Sequence, residues 1–405
     1  MSIAKRSLGF TLYLGGLGAL PPLSIDMGLP ALNSIAIALH SSDAAAALTL
    51  SLFLAGFAIA PIAGGPLSDR FGRRPLLLAG SALFALSGLG CTFAPTIEVL
   101  LLSRVLQGFG AGTATVLAMA LVRDLFEADE ARAKLSYVSI LRSIGPMIAP
   151  TIGAWLLLFF DWRYIYGTLC IGGIILFIVT YFGIAESAPP DRIPLTVAAL
   201  KDSYKMVLSH PVSFGYALLN ALVFGSMFAY VSNSPLLIIG VFGLSHQQFG
   251  YLFAGTASGI MLGAFVNGRL SDRKVPHSVP LKIGLTVAVL ATAINLAVTT
   301  CGAASALTLL PGLIAFTFSA GMIGPNASHG CLHPMPKIAG VAAAVLTFSQ
   351  MVVGSLSSAL VAYLYDERSA FAMTTVMLAS SVCAALLYLL VVRPAEKKES
   401  IMALP

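Results

Sequence analysis

One acidic residue lies deep inside an apolar segment, where it could bind and release a proton. Asp26 stands in the stretch SIDMGLP, well past the start of the first apolar run. An ionisable group in a membrane helix is costly, so it usually has a partner or a water-filled cavity. Burial raises the pKa of a carboxyl group and a nearby cation lowers it. Asp26 could therefore exchange a proton between two conformations; the alternative is a fixed ion pair that only holds helices together.

Two arginines lie inside apolar runs and could accompany Asp26. Arg104 is about 9 Å below the outer end of its predicted helix, and Asp26 is roughly 18 Å from the outer end of the first helix, at 1.5 Å per residue. A kink at Pro30 and the reach of the side chain would let Arg104 pair with Asp26. Arg142 lies about 12 Å inside the following helix, counted from Lys134. Either arginine could instead extend to the membrane surface.

The composition requires membrane-spanning elements to position these charges. Of 405 residues, 58% are hydrophobic and 10% are charged, whereas charged residues in soluble domains are close to about 25%. The net charge is +6, and the basic residues lie in short clusters between apolar runs. This distribution favours basic residues that orient membrane helices by the positive-inside rule over basic residues that bind nucleic acid. The five cysteines show neither a metal-binding spacing nor a disulfide framework.

The apolar runs predict an all-α membrane protein with twelve transmembrane helices in two pseudo-symmetric six-helix bundles. The predicted domains are an N-terminal bundle (1–185), a cytoplasmic linker (186–210), a C-terminal bundle (211–392) and a mobile cytoplasmic tail (393–405). The predicted helices are 8–38, 44–67, 75–94, 98–122, 133–159, 162–185, 211–239, 246–270, 280–300, 304–326, 336–364 and 369–392.

A repeated segment of sequence supports the prediction of two related halves. GPLSDR at Gly65–Arg70 and GRLSDR at Gly268–Arg273 agree at five of six positions, and each connects an apolar run to the next. Parallel repeats of this kind are typical of transporters with a central site. Nearly all Lys and Arg residues fall on one side of the predicted topology, with only Arg163 and Arg368 on the other. This bias predicts that both termini are cytoplasmic.

The chain resembles the major facilitator superfamily. The segment GGPLSDRFGRRP (Gly64–Pro75) is similar to its G-x-x-x-D-R-x-G-R-R motif, and two further segments, Leu101–Thr113 and Gly145–Trp155, resemble its helix 4 and helix 5 motifs. More narrowly, it resembles the bicyclomycin-resistance (Bcr/CflA-type) drug:proton antiporters at Ile25–Leu32, Leu50–Ala58, Ala120–Leu125, Tyr230–Pro235 and Gly324–Ala327.

The resemblance implies roles for two groups of residues. Asp69 would lock the cytoplasmic side in the outward-open state, Gly72 would allow a tight turn, and the nearby basic residues would be Arg70, Arg73, Arg74 and Arg123. These arginines also fix topology. A hinge and a seal against proton leak would lie at Gly145, Pro146, Pro150 and Gly153, although ordinary kinks would look the same.

Polar and aromatic residues on otherwise apolar helices are candidates for a substrate cavity, with helix packing as the alternative for each. They are Tyr13, Phe53, Phe57, Gln107, Tyr137, Asn220, Tyr230, Asn233 and Gln350. Asn233 is the strongest candidate, because Pro235 frees a backbone carbonyl beside it. His329, Cys331 and His333 lack a fourth metal ligand, so we interpret them as part of a cytoplasmic loop.

These observations predict a proton-coupled secondary transporter in a bacterial inner membrane that exports small amphiphilic compounds by alternating access. The proton is the coupling ion, no cofactor is expected, and we expect a monomer that contacts lipid and a small-molecule substrate but no nucleic acid. Gly28, Pro61 and Met119 depart from the subfamily pattern and keep open a transporter for a nucleoside, amino acid or siderophore. An enzyme is not expected, and a membrane enzyme or receptor would need a catalytic cluster or a sensor domain.

Overall fold

Long apolar helices make up the chain wherever the structure describes it. The computed structural model describes residues 7–126, 128–187 and 197–402, and all its regular elements in these ranges are helices. Eleven of them are long and apolar enough to cross a membrane, and Ile144–Phe159 is a shorter apolar segment. The prediction of an all-helical membrane protein is confirmed.

The helices belong to two compact units. One unit holds the chain up to α7 and also residues 245–251; the other holds α8, α9 and the chain from residue 252 onward. In chain order the helices of the first unit are α1 (Leu8–Asp26), α2 (Leu32–Ala38), α3 (Asp43–Phe71), α4 (Arg73–Thr92), α5 (Ile97–Leu125), α6 (Ala128–Phe159) and α7 (Arg163–Gly183). The remaining helices are α8 (Val197–Ser209), α9 (Pro211–Pro235), α10 (His246–Asp272), α11 (Ser278–Thr300), α12 (Ala306–Leu332), α13 (Ala339–Leu364), α14 (Phe371–Leu387) and α15 (Arg393–Met402).

The first predicted helix, 8–38, is broken rather than continuous. It ends as α1 at Asp26, passes through a 3₁₀ turn at Leu29–Ala31 and resumes as α2. Pro30 explains the position of the break. A proline has no N–H to donate and its ring clashes with the carbonyl four residues earlier, which here is that of Asp26. The expected kink at Pro30 is therefore a change from α-helical to 3₁₀ hydrogen bonding that begins directly after the acidic residue, while the backbone keeps right-handed helical angles.

Helices also occupy three stretches in which the sequence predicted a linker, a mobile tail or a loop. The helix α8 lies within the stretch predicted as a linker, 186–210, of which residues 188–196 are outside the described ranges. The tail predicted to be mobile forms α15, which follows a π turn at Tyr388–Val392. His329 and Cys331 lie in the last turn of α12 instead of a loop, and His333 is the next residue. In each case a charged or polar composition was interpreted as irregular chain, although helices can carry such residues where they leave the bilayer.

Glycines bring two helix pairs into backbone contact. In the first unit, a Cβ added at Gly56 of α3 would lie 2.0 Å from the carbonyl oxygen of Val105, and one added at Gly108 of α5 would lie 2.0 Å from that of Phe53. In the second unit, α10 and α12 meet in the same way: a Cβ at Gly263 would lie 2.0 Å from the carbonyl oxygen of Phe318. Small residues are the usual means by which membrane helices approach closely.

We predict that Gly108→Ala destabilises the protein, because the added methyl group meets a backbone carbonyl that cannot move without displacing α3. Overpacking of this kind costs about 1–3 kcal/mol. The matched control is Gly172→Ala on α7, where no atom lies within 4 Å of the added Cβ. Thermal unfolding of the purified proteins in one detergent should show a lower midpoint for Gly108→Ala alone. Equal midpoints would contradict the close crossing of α3 and α5.

Candidate functional site

Asp26 is the final residue of α1 and is buried, with 4% of its surface exposed. The N–H of the next residue, Met27, donates to the carbonyl of Leu23 at 3.1 Å, and the helix then gives way to the 3₁₀ turn. Discontinuous membrane helices commonly place ion and substrate sites where the regular backbone stops. The carboxyl group thus lies beside backbone that the break has released from helical hydrogen bonding.

Arg104, on α5, reaches the same turn of α1. Its Nη2 donates to the carbonyl oxygen of Ser24 at 2.9 Å and its Nε donates to that of Thr49 at 3.3 Å. Its Nη1 donates to Oε1 of Gln107 at 2.6 Å. The guanidinium is 2% exposed, and all three of its nitrogens donate hydrogen bonds to oxygen atoms of the first unit.

Aromatic rings enclose the guanidinium of Arg104. Its Cζ lies 4.4 Å from the ring centroid of Phe53 and 5.5 Å from that of Tyr166. Aromatic faces attract cations most strongly where water is excluded. Carbonyl dipoles and two rings therefore stabilise this buried cation.

The expected ion pair between Asp26 and Arg104 is not formed. Across the described ranges, no ion pair within 4.0 Å involves either residue. The last carbonyls of a helix lack helical partners and carry partial negative charge, so the end of α1 itself provides the acceptor for Arg104. Sequence reasoning missed Ser24 and Thr49 because they act through backbone carbonyls, which every residue type possesses.

Several buried polar atoms around Arg104 have no hydrogen-bond partner within the described part of the chain. They are the hydroxyl of Ser24, the amide nitrogen of Gln107 and the indole nitrogen of Trp162. Trp162 packs edge-on against Tyr166, with ring centroids 5.9 Å apart. Buried polar groups are normally satisfied, and exceptions often mark sites for water or a ligand. The surroundings of Arg104 are therefore polar enough to admit a hydrogen-bonding guest.

Other predicted cavity residues of the first unit take part in helix packing. The hydroxyl of Tyr13 is 2.8 Å from that of Thr180, which joins α1 to α7. Phe57 is buried where α3 meets α5, and the carbonyl oxygen of this residue would lie 3.0 Å from a Cβ at Gly112. Tyr13 and Phe57 therefore serve helix packing in this structure, which was the alternative to a cavity role, whereas Phe53 and Gln107 belong to the surroundings of Arg104.

In the second unit, Asn233 and Asn295 are buried side chains whose amide atoms are both unsatisfied within the described ranges, and Asn233 is the one that the sequence singled out. It is 1% exposed, and neither its amide oxygen nor its nitrogen has a hydrogen-bond partner in the described ranges. Pro235 should release the carbonyl of Val231, four residues earlier. That oxygen accepts a hydrogen bond from the hydroxyl of Ser234 at 3.2 Å, so the side chain of Asn233, rather than the freed carbonyl, offers unused polar atoms.

The remaining candidates of this unit have nearby partners or partial exposure. The hydroxyl of Tyr230 is 2.8 Å from that of Thr256, and its ring stacks on Phe253 with centroids 5.8 Å apart. The amide of Asn220 donates to the hydroxyl of Ser328 at 3.4 Å, while Gln350 is half-buried. Tyr230 and Asn220 therefore tie α9 to α10 and α12.

The turn after α3 is a single glycine. Gly72 has φ +103°, a conformation that side chains disfavour, and a Cβ there would also lie 2.3 Å from Oε2 of Glu186. The helix runs through most of the motif to Phe71, so the segment predicted as a loop is largely helical. The predicted tight turn at Gly72 is present.

Arg73 connects this turn to two other helices of the first unit. Its Nε lies 2.9 Å from Oδ2 of Asp124 at the end of α5, and its backbone N–H donates to Oε1 of Glu186 at 2.8 Å. Its Nη1 also donates to the hydroxyl of Ser68. Asp124 and Glu186 could not be predicted as partners of Arg73, because they are distant from it along the chain.

The neighbouring arginines behave differently. Arg74 donates to the carbonyl of Tyr181 at 2.7 Å, and Arg70 is exposed with its Cζ 5.3 Å from the ring centroid of Phe71. The side chains of Asp69, Arg123, Tyr137 and Arg142 lie outside the part of the chain that the structure describes. The gating role of Asp69 and the cavity roles of Tyr137 and Arg142 therefore stay predictions.

Glycines of α6 face the break in α1. A Cβ at Gly145 would lie 2.9 Å from Pro22, and one at Gly153 would lie 2.1 Å from the carbonyl oxygen of Met27. The helix α6 continues across Pro146 and Pro150. Close packing against α1 is thus a definite role for the two glycines, and the hinge stays a prediction.

These features define a multi-pass helical membrane protein with buried ionisable groups in its spans. The sequence profile of the Major Facilitator Superfamily matches residues 16–358, so the chain belongs to that superfamily and is a secondary transporter, not an enzyme. The resemblance that its motifs predicted is confirmed.

Its relatives include proteins named for drug resistance. The chain is 30% identical to the bicyclomycin resistance protein homolog of Haemophilus influenzae, over 91% of this chain and 93% of that one. It is 32% identical to the multidrug resistance protein MdtL of Escherichia coli O45:K1, with 83% of each covered. It is 33% identical to the uncharacterized MFS-type transporter YdgK of Bacillus subtilis, with 95% of each covered.

Solved structures with low sequence identity share the fold. A bacterial homolog of the human lysosomal transporter Spinster superimposes with a TM-score of 0.74 at 15% identity, covering 97% of each chain. A D-xylose-proton symporter gives 0.69 at 18% identity, covering 94% of this chain and 98% of the other. These likenesses show the fold alone.

We predict that Asp124→Asn destabilises the protein, because it removes the negative charge 2.9 Å from the buried Arg73. Breaking a buried ion pair costs about 3–5 kcal/mol. The control is Asp161→Asn: Asp161 is 51% exposed, against 11% for Asp124, and its pair with Arg163 should contribute little. Thermal unfolding in detergent measures both variants. If Asp124→Asn unfolds no earlier than Asp161→Asn, Arg73 does not depend on this ion pair.

Proposed function

We propose that this protein exports small amphiphilic compounds in exchange for protons, by alternating access, across a bacterial inner membrane with both termini in the cytoplasm. The observation that carries the proposal is that a buried carboxyl group and a buried arginine meet at the end of α1 without pairing. Arg104 donates to the carbonyl of Ser24, two residues before Asp26, yet Asp26 and Arg104 form no ion pair in the described ranges. A carboxyl group whose cation is occupied elsewhere remains available to a proton.

The hydrogen bonds of Arg104 suggest how proton binding is coupled to helix movement. When Asp26 carries a proton, Arg104 can remain on the carbonyls of Ser24 and Thr49, as seen here. When the proton leaves, the carboxylate becomes a stronger partner than a carbonyl, because ion-paired hydrogen bonds are the stronger class. Arg104 then exchanges partners, and the contacts among α1, α3 and α5 change with it.

The driving force and the surroundings fit an exporter. A membrane potential supplies about 2.3 kcal/mol per charge per 100 mV, so one proton can drive modest accumulation. Within the first unit, the aromatic rings of Phe53 and Tyr166 and the unsatisfied amide nitrogen of Gln107 combine apolar area with a hydrogen-bonding group, which suits amphiphilic molecules. The names of the bicyclomycin and multidrug resistance relatives support export of drugs.

One observation favours a second candidate, a transporter for a specific metabolite. A Cβ at Gly28 would lie 3.6 Å from the hydroxyl of Tyr166. A larger side chain at this position would compete for the space beside Tyr166. Gly28 leaves that space open, so a compact polar substrate such as a nucleoside or amino acid remains the alternative.

We expect Asp26→Asn to abolish proton-coupled transport while substrate exchange continues, because the amide keeps the shape of the carboxyl group but cannot carry the proton. Proteoliposomes containing the full chain would be tested with a panel of drugs and metabolites. Proton movement and substrate counterflow would be measured in parallel. Asp161→Asn is the control, since this aspartate is exposed and far along the chain from the break in α1.

Two results of this assay would count against the proposal. Undiminished proton-driven transport by Asp26→Asn would remove Asp26 as the proton carrier. Proton movement stimulated only by metabolites, with none from drugs, would favour the second candidate.

We expect Arg104→Lys to reduce proton-driven transport at least tenfold, although it keeps the positive charge. An ammonium group cannot reproduce the planar set of three hydrogen bonds or stack on Phe53 as a guanidinium does. Arg163→Lys, at an exposed ion pair, is the matched control. Transport rates that are equal for the two variants would show that only the charge of Arg104 matters.

A further inference from the structure

The second unit contains a cavity of about 760 Å³ at the end where α11 begins and α12 finishes. The helix α15 contributes another part of its lining. The basic residues that line the cavity are His277, Lys282, His329, His333, Arg393 and Lys397.

The acidic residues of the lining are already engaged by other groups. The hydroxyl of Tyr216 donates to Oε1 of Glu396 at 2.6 Å, and the Nε2 of His277 is 3.5 Å from the same oxygen. Oε1 of Glu399 is 3.5 Å from Nε2 of His210. Among the ion pairs of the described residues, none includes Lys282, Arg393 or Lys397. The three Lys and Arg side chains of the lining therefore outnumber its two carboxylates, so the cavity has an excess of positive charge.

Three imidazole rings lie in a row along one side. The ring centroids of His277 and His329 are 5.8 Å apart, and those of His329 and His333 are 5.2 Å apart. In the described ranges, no group of three or more His, Cys, Asp or Glu side chains is arranged to hold a metal ion. The row is therefore better suited to donating N–H groups to an anion than to coordinating a metal.

The start of α11 adds one backbone donor to the same cavity, the N–H of Ser278, because Val279 donates to the carbonyl of Pro276 at 2.9 Å, Leu281 donates to that of His277 at 3.3 Å, and Pro280 has no N–H. Ser278 is the first residue of this helix and lines the cavity, and His277 before it makes no side-chain capping hydrogen bond. The first N–H groups of a helix lack helical acceptors, and the positive end of the helix dipole favours anions there.

We propose that this cavity binds a phosphate-bearing anion. Lysine, arginine, imidazole N–H groups and a helix N-terminus are the donors that phosphate groups commonly meet in proteins. The volume exceeds that of an inorganic phosphate ion, so it suits a phosphorylated small molecule or the headgroup of an anionic lipid. Basic pockets between membrane helices bind such headgroups. The bound phosphate would connect α11 to α15 through Lys282, Arg393 and Lys397, and His329 would add α12.

The test uses the full-length protein and two sources of phosphate. Thermal unfolding in a neutral detergent would be followed during titration with sodium phosphate, against sodium chloride of equal ionic strength. Native mass spectrometry of protein from phosphatidylcholine vesicles, with and without cardiolipin, would detect a retained lipid. Stabilisation by phosphate identifies a soluble ligand, whereas retention of cardiolipin alone identifies a lipid headgroup; either result supports the proposal.

Variants assign the binding to this cavity. The double variant Lys282→Gln, Arg393→Gln should weaken binding at least tenfold. The control Lys337→Gln, an exposed cation outside the lining, should bind like the original protein. The variant Lys282→Arg, Arg393→Lys keeps both charges and should retain binding, which separates loss of charge from misfolding. Binding of neither ligand, or equal binding by the double Gln variant and the control, would overturn the proposal, as would Zn²⁺ binding that phosphate does not displace.

Discussion

The first unit depends on how a cation is kept inside a membrane protein without a carboxylate bonded to it. An isolated charge in a low-dielectric interior costs several kcal/mol unless hydrogen bonds and nearby dipoles replace its water. Arg104 meets this requirement with the carbonyl oxygens of Ser24 and Thr49 and the amide of Gln107. The carbonyl of Ser24 is available because α1 stops two residues later. The break at Pro30 and the burial of Arg104 are therefore parts of one arrangement.

The close packing of α3 on α5 at two glycines brings α3 within hydrogen-bonding distance of Arg104. With Gly108 against the carbonyl of Phe53 and Gly56 against that of Val105, the two backbones approach closely beside Arg104. Thr49 and Phe53 on α3 then lie within reach of one guanidinium. A larger side chain at either glycine would separate the helices and lengthen these contacts. Helix packing and the electrostatics of the site are thus linked through residues that carry no charge.

Sequence reasoning predicted the features of the fold that follow from residue type, including the effect of Pro30 on the first helix. It predicted the all-helical membrane fold, a kink at Pro30 and the tight turn at Gly72, since hydrophobic runs and backbone restrictions are local properties. It failed for the partners of Arg104, because backbone carbonyls have no signature in a sequence. It also assigned α15 to a mobile tail, since the contact between Glu396 and Tyr216 joins residues far apart in the chain.

Asp124 and Glu186 illustrate the same limit at the other end of the first unit. The motif that contains Arg73 is recognisable, but its acidic partners come from the end of α5 and from the segment that follows α7, and only the packed helices bring them together. A motif can therefore indicate that a turn is built for charge without indicating which carboxylates hold it.

The separation of Asp26 from Arg104 has an energetic consequence for the proposed cycle. Hydrogen bonds to charged groups contribute about 1.5–3 kcal/mol each, so the carbonyl-bound state of Arg104 is a real competitor to an ion pair with Asp26. Two arrangements of similar free energy can be interchanged by a modest input, such as one proton moving through the membrane potential. A strong permanent ion pair would favour a single state, and a lone aspartate would have no second state to reach. The helix break supplies the competing acceptor, and this is why the position of Pro30, four residues after Asp26, matters to transport as well as to the fold.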